Sequence, residues 1–117
     1  MANDAKAIAL CVSLSIGQVW DERHSPIFTL FPVKAATAVK AGQVLKVGED
    51  NLTVEPAAAE DAKYVGVACE EVEAGDKKYV NVLIHGTVKT EKITVGSDAL
   101  TAEGAAKLRA AGVYAID

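Results

Sequence analysis

Histidine and cysteine are the residue types here that most often carry catalysis or metal binding, and their spacing favours neither. His24 and His85 lack a Cys, His or carboxylate partner at the spacing that metal ligands adopt. Cys11 and Cys69 lie far apart, without a C-x-x-C motif, and neither adjoins a histidine as a nucleophilic cysteine would. We therefore expect two small buried thiols, rather than a disulfide or a metal pair, and two ordinary histidines.

Other catalytic and ligand-binding motifs are also missing from the sequence. It contains no Gly-rich phosphate loop of the G-x-x-x-x-G-K-[ST] or G-x-G-x-x-G type, and no G-x-S-x-G nucleophile turn. The acidic run at 70–76 lacks the alternating order of a calcium loop, so it indicates a solvated turn. The sequence predicts a structural or binding module, with no enzymatic activity, no metal and no cofactor.

Composition narrows the class of partner. The chain has 117 residues, half of them hydrophobic, which suits one compact domain with its own core. Twelve basic and sixteen acidic side chains give a net charge of −4. Nucleic-acid binding requires clustered Lys and Arg, so we expect no nucleic-acid partner. The apolar stretch Ala7–Gly17 is too short to cross a bilayer as a helix, and we expect no membrane association.

That stretch alternates strictly between large and small side chains, and this indicates a β-strand, because side chains on a strand alternate between its faces. A secretory signal is disfavoured, since Asp4 offsets Lys6 and no A-x-A cleavage site follows. We assign residues 1–25 to an extended N-terminal segment or arm. The large positions are Ile8, Leu10, Val12, Leu14 and Ile16.

The remaining residues, 26–117, predict a mainly β domain. Strands at 44–47 and 52–54 flank the turn Gly48–Asn51, a hairpin signal. Gly66 lies inside a short apolar strand, where glycine indicates a bulge or close backbone approach. Alternation from Tyr79 predicts a half-buried strand that ends at Gly86. The Ala-rich stretch Pro56–Ala62 suggests one helical turn.

One short helix is predicted near the C-terminus, over about 101–111. Thr101 is a suitable N-cap, and Glu103 and Arg109 lie where the helix dipole favours their charges. Gly112 falls at the position that usually ends a helix in the left-handed conformation. A final strand is predicted over Val113–Ile116.

Four segments carry a resemblance to a known family: Ala41–Leu45, Ala62–Ala68, Ala74–Asp76 and Val80–Val88. Their order, "A-G-x-V-L, x-Y-x-G-V-A, A-G-D, V-x-V-x-x-x-G-x-V", resembles the head decoration, or capsid cement, proteins of tailed bacteriophages. The resemblance implies a small β-barrel or β-tulip domain that binds and stabilises the exterior of a phage head. It also implies the major capsid protein as partner, homotrimers at three-fold axes, and a virion protein made in the host cytoplasm.

We hypothesise that the N-terminal segment adds a strand to a sheet edge on the capsid or on a neighbouring protomer, because strand addition combines backbone hydrogen bonds with alternate side-chain contacts. The alternative is an ordinary core strand of the same domain. Trp20, the only tryptophan, is either an interface anchor or a partly buried core residue. The candidate interface residues are Ile8, Leu10, Val12, Leu14, Ile16 and Trp20.

A second interpretation is a carrier domain of the biotinyl or lipoyl kind. Val39–Leu45 resembles the "V-K-x-G-D-x-L" turn of such domains, and Lys77 or Lys78 lies in a loop between strands. In such domains the modified lysine lies at a tight hairpin tip beside a Met or an Asp and follows a second glycine signature, and this signature is missing here. Intact mass distinguishes the two interpretations.

Overall fold

The computed structural model describes residues 20–21 and 26–116, and for 20–21 it describes the backbone alone. The described chain is mainly β with one short C-terminal helix, α1 (Ala102–Ala111), as predicted. A 3₁₀ turn covers Thr90–Lys92. The strands are β1 (Trp20–Asp21), β2 (Ile27–Pro32), β3 (Val44–Val47), β4 (Val54–Pro56), β5 (Gly66–Ala68), β6 (Tyr79–Lys89), β7 (Thr94–Val95), β8 (Asp98–Ala99) and β9 (Val113–Ile116).

The long strand β6 organises the fold. Its first half pairs antiparallel with β2 and with β5, β5 pairs with β3, and β3 pairs with β4. A parallel bridge between Val33 and Val54 joins the end of β2 to β4, and the Lys34 N–H donates to the Val54 carbonyl at 3.0 Å. Five strands thereby close into a small barrel-like ring.

Two apolar clusters lie on opposite faces of the β3–β5–β6 layer. Neighbouring residues of a strand enter different clusters, as with Val82 and Leu83, because alternate side chains point to opposite faces. The ring cluster comprises Val33, Val39, Leu45, Val54, Ala68, Val72, Val80 and Val82. The helix-side cluster comprises Val44, Ala57, Tyr64, Val67, Cys69, Leu83, Val88, Ile93, Val95, Leu108 and Val113.

The predicted close approach at Gly66 is confirmed. A Cβ atom built at this position would lie 2.2 Å from the Leu83 carbonyl oxygen of the neighbouring strand β6. A side chain therefore cannot be accommodated unless β5 and β6 separate. The hairpin predicted over 44–54 is also confirmed, although its second strand is Val54–Pro56, and Asp50 stabilises its turn by accepting hydrogen bonds from the N–H groups of Leu52 and Thr53.

The predicted end of a strand at Gly86 is wrong, since β6 continues to Lys89. Gly86 has a φ of +141°, which its missing Cβ permits, and the register with β2 shifts between Ile27 and Phe28. Beyond this irregularity the strand presents Val88 to the helix-side cluster and takes β1 and β9 as new partners. The glycine redirects the strand where the sequence pattern suggested a stop.

The predicted helix and its caps are confirmed. The Thr101 hydroxyl accepts from the Gly104 N–H at 3.1 Å, and Gly112 ends the helix in the left-handed conformation with a φ of +108°. Leu108 is fully buried and anchors α1 on the helix-side cluster. The final strand β9 follows immediately and runs parallel to β6.

Candidate interaction surfaces

The second half of β6 forms a small open sheet with β1 and β9. Val88 lies opposite Trp20 on one side and Ala115 on the other. One face of this sheet is covered, because Val88 and Val113 are fully buried and Ala115 packs against the helix-side cluster. The chain therefore enters and leaves the described domain at the same end of β6.

The opposite face of the open sheet carries a mostly apolar concavity of about 370 Å³. His85 is exposed at this concavity, and Tyr114 is 46% exposed. A mostly apolar surface suits an apolar side chain of a partner better than a charged ligand. The lining residues are His85, Gly86, Thr87, Tyr114 and Ile116.

A second apolar surface, the β2 patch, lies at the opposite end of β6 and comprises Phe28, Leu30, Pro32 and Tyr79. The register pairs Pro32 with Tyr79 and places Leu30 one pair further along the same face. Leu30 is 57% exposed and Tyr79 is 54% exposed. Phe28 is partly buried against the helix-side cluster, so the patch extends the core to the surface.

A polar cluster fixes the segment between β4 and β5. Asp61 accepts from the Ala58 N–H at 2.7 Å and from the Lys46 ammonium at 3.1 Å. The Ala58 hydrogen bond, with help from Lys46, lowers the pKa of Asp61, and the hydrogen bond to Asp61 raises the pKa of Lys46. The helical turn predicted here is wrong, because this segment forms a turn held by the Asp61 side chain. Aspartate's preference for bonding nearby backbone was the available signal.

The helix holds the same segment from the other side. Lys107 donates to the Ala59 carbonyl at 2.7 Å, and its ammonium lies 5.6 Å from the centre of the Tyr64 ring. The Tyr64 hydroxyl donates to the Ala58 carbonyl at 3.3 Å, and burial raises the pKa of Tyr64. Because each polar group here meets a partner within the chain, the cluster acts as a structural fastening.

The residues considered for chemistry are dispersed. Cys69 is buried in the helix-side cluster as expected, whereas Cys11 and His24 lie outside the described residues. Lys77 is exposed in the loop before β6, with a φ of +54°. Within 20–21 and 26–116, no three His, Cys, Asp or Glu side chains are grouped to hold a metal ion. The same part of the chain includes no helix with the length and apolarity to cross a membrane.

The structure places one of the candidate interface residues. Trp20 lies in β1 at the edge of the open sheet. The other five, Ile8, Leu10, Val12, Leu14 and Ile16, lie outside the described residues, and their role stays a prediction. Sequence reasoning missed the exposed Leu30, Tyr79 and Tyr114. For Leu30 the available signal was the uncharged run Ile27–Pro32, and the two tyrosines had no such signal.

Comparison with known proteins adds no relative: no family model matches the chain, and no curated protein sequence is significantly similar to it.

Proposed function

We propose that this protein is a structural component of a phage virion. It binds the outer surface of the head, contacts the major capsid protein, and stabilises the shell as a trimer at three-fold axes without catalysing a reaction. The segments that resemble cement proteins support this proposal by their positions, since they supply the turn into β3, strand β5, the loop before β6, and β6 itself. They include residues of three of the five strands that form the ring, β3, β5 and β6.

The position of β1 carries the proposal. Nineteen residues precede Trp20, and the strand that they enter lies at the edge of the open sheet. Fully extended, such a segment reaches about 60 Å, whereas the domain is 35 Å across its longest axis. The N-terminal segment is therefore long enough to contact a neighbouring subunit of a shell.

The pattern of this segment suits fastening by strand addition. In the strand that the alternation predicts, its five large aliphatic side chains share one face, and burial of each would contribute about 1.5–3 kcal/mol. The backbone adds hydrogen bonds to any free sheet edge. A trimer repeats this contact three times, so that modest individual contacts give tight binding through avidity.

The open-sheet end of the domain then faces the shell. The N-terminal segment leaves from this end, and the apolar concavity with Tyr114 lies on the same small sheet. An apolar side chain of the capsid surface fits the concavity, which adds a side-chain contact to the strand contact.

Deletion of residues 1–19 tests the proposal. We expect a folded protein, with unchanged circular dichroism and unchanged oligomeric mass, that no longer co-sediments with phage heads. Heads bound as tightly as before would contradict the role of the segment. An unfolded product would show that the segment is a core strand of its own domain.

A matched pair of variants separates the two faces of the segment. Leu10→Asn with Leu14→Asn alters the large face, and Ser13→Asn with Ser15→Asn alters the small face. We expect the first pair to weaken head binding by at least about tenfold, because two apolar burials are lost, and the second pair to weaken it less.

Intact mass tests the carrier interpretation, since a lipoyl or biotinyl adduct on Lys77 or Lys78 would overturn the structural one.

A further inference from the structure

We propose that, in the free protein, residues 8–16 fold back on the outer edge of β1 and pair with it as an antiparallel strand. The docking surface is this strand edge, and its occupant is a segment of the same chain that lies outside the described residues. The inference concerns the protein before it meets a partner, so it goes beyond the proposed function and does not depend on it.

The edge of β1 that faces away from β6 is open to a further strand. Among the described strands, β1 pairs with β6 alone. A strand makes its hydrogen bonds to neighbouring strands, so an unpaired edge presents N–H and C=O groups to an extended segment nearby. Three residues, 17–19, separate the segment 8–16 from Trp20. The edge of β1 is therefore the first one along the chain that this segment can reach.

The residues between the segment and β1 have the composition of a two-residue hairpin turn. The two residues that follow Ile16 are Gly17 and Gln18, and β1 begins two positions later. Two-residue loops are the commonest connection in β-hairpins, and one of their two types has glycine at the first central position, because φ is positive there. A reversal at this turn pairs Ile16 with Val19 and brings the preceding residues alongside β1.

The register of β1 on β6 then decides which face of the open sheet each side of the segment joins. Trp20 shares the covered face, because it pairs with the fully buried Val88. The two-residue turn places Ser15 opposite Trp20, and residues directly opposite each other share a face. The small residues of the segment therefore take the covered face, and its five large aliphatic residues take the face of the concavity.

The room on each face agrees with this assignment. The covered face already carries the fully buried Val88 and Val113, so small side chains suit a strand that is added there. The other face carries the mostly apolar concavity of about 370 Å³ beside the half-exposed Tyr114, so large aliphatic side chains suit it. Turn length and side-chain size thus lead independently to the same orientation.

Such a hairpin widens the apolar face of the open sheet and leaves the other edge of the segment free. A sheet edge on a partner can then pair with a strand that is already extended. Less conformational freedom is lost when the partner binds, and this strengthens binding. The strand addition proposed for the capsid would therefore use a segment that is ordered before the contact forms.

Nuclear magnetic resonance of the free 12.2 kDa chain tests the inference. In the hairpin, Ser15 and Trp20 form a non-hydrogen-bonded pair with Cα atoms about 4.5 Å apart. We expect a nuclear Overhauser contact between their Hα atoms, and amide exchange of Ile16 at least about tenfold slower than in an unfolded chain. Absence of this contact, or an Hα contact of Trp20 with Leu14 or Ile16 in its place, would overturn the inference.

A matched pair of turn variants gives the second arm of the test. Gly17→Val places a β-branched residue where φ is positive, so it should abolish the contact and the slow exchange while the domain stays folded. Gln18→Gly creates a Gly-Gly turn, which favours the same geometry, and should keep both. A contact of unchanged intensity in Gly17→Val would overturn the assigned turn. Head binding is scored separately, since a hairpin in a protein that never binds heads supports this inference and contradicts only the proposed function.

Discussion

The two halves of β6 belong to one strand but have different surroundings. The first half has partners on both edges and buried side chains on both faces, as Val82 and Leu83 show. The second half pairs with β1 and β9, and one face carries the apolar concavity with the half-exposed Tyr114. The first half closes the ring and has an exposed apolar side chain at its start, Tyr79, whereas the second half has exposed apolar surface on the open sheet where the chain ends meet.

This difference shows how one strand both closes the ring and forms an open sheet at the chain ends. A closed ring leaves few backbone groups for a partner, whereas an open sheet at the chain ends offers both a concave face and a connected segment. The irregularity at Gly86 separates the two environments. Variants on either side should therefore affect different properties.

Gly66→Ala should give the largest effect, because its Cβ would clash with the Leu83 backbone inside the ring. Since backbone atoms cannot move aside as a side chain can, we expect a loss of about 3 kcal/mol or more in the free energy of unfolding. Urea unfolding followed by circular dichroism measures it.

Gly75→Ala is the matched control, since its Cβ would meet only the flexible Lys78 side chain. It should change the free energy of unfolding by less than about 1 kcal/mol. A Gly66→Ala variant as stable as this control would show that β5 and β6 are not tightly apposed.

Leu108→Ala and Tyr114→Ala compare the covered and open faces of the second half. Leu108 lies on α1 and is fully buried, so its truncation should lower the free energy of unfolding by about 3 kcal/mol. Tyr114 is half-exposed, and its truncation should cost less than about 1.5 kcal/mol while weakening head binding. Equal losses of stability would contradict the distinction between the faces.

Asp61→Asn should have a smaller effect and a defined pH dependence. The Ala58 N–H and Lys46 lower the folded-state pKa of Asp61. The ionised carboxylate therefore stabilises the fold at neutral pH, and this stabilisation is lost as the pH falls below the ordinary pKa of an aspartate. We expect a loss of about 1 kcal/mol at pH 7 that shrinks toward pH 3. Thermal unfolding across this range checks it, and a pH-independent difference would contradict the assignment.

Ala36→Gly should give the smallest effect and the opposite sign. Ala36 has a φ of +59°, which is strained for a residue with a Cβ, and its N–H donates to the Gly75 carbonyl at 3.0 Å. Glycine removes the strain and keeps the hydrogen bond, so we expect stabilisation by about 0.5 kcal/mol. A lower melting temperature would show that the turn is not strained.

Local signals in the sequence predicted the elements that depend on neighbouring residues. The cap at Thr101, the ending at Gly112 and the turn at Gly48–Asn51 each involve groups within a few positions of one another. The close approach at Gly66 was predicted as well, although its partner Leu83 could not be named.

Contacts between distant residues account for what could not be predicted. The Val33–Val54 bridge closes the ring, and the Lys107 contact with Ala59 joins the helix to a loop 48 residues away. The β2 patch depends on the register between β2 and β6, which alternation alone does not specify. Of the candidate interface residues, the structure places Trp20 in β1. The role of the five aliphatic residues before it stays a prediction.

Electron cryo-microscopy of phage heads from cells that do and do not make this protein tests the central claim most directly. We expect added density on the outer surface at three-fold axes, with the open-sheet end of each domain against the shell. Heads with identical outer surfaces in the two preparations would contradict the account.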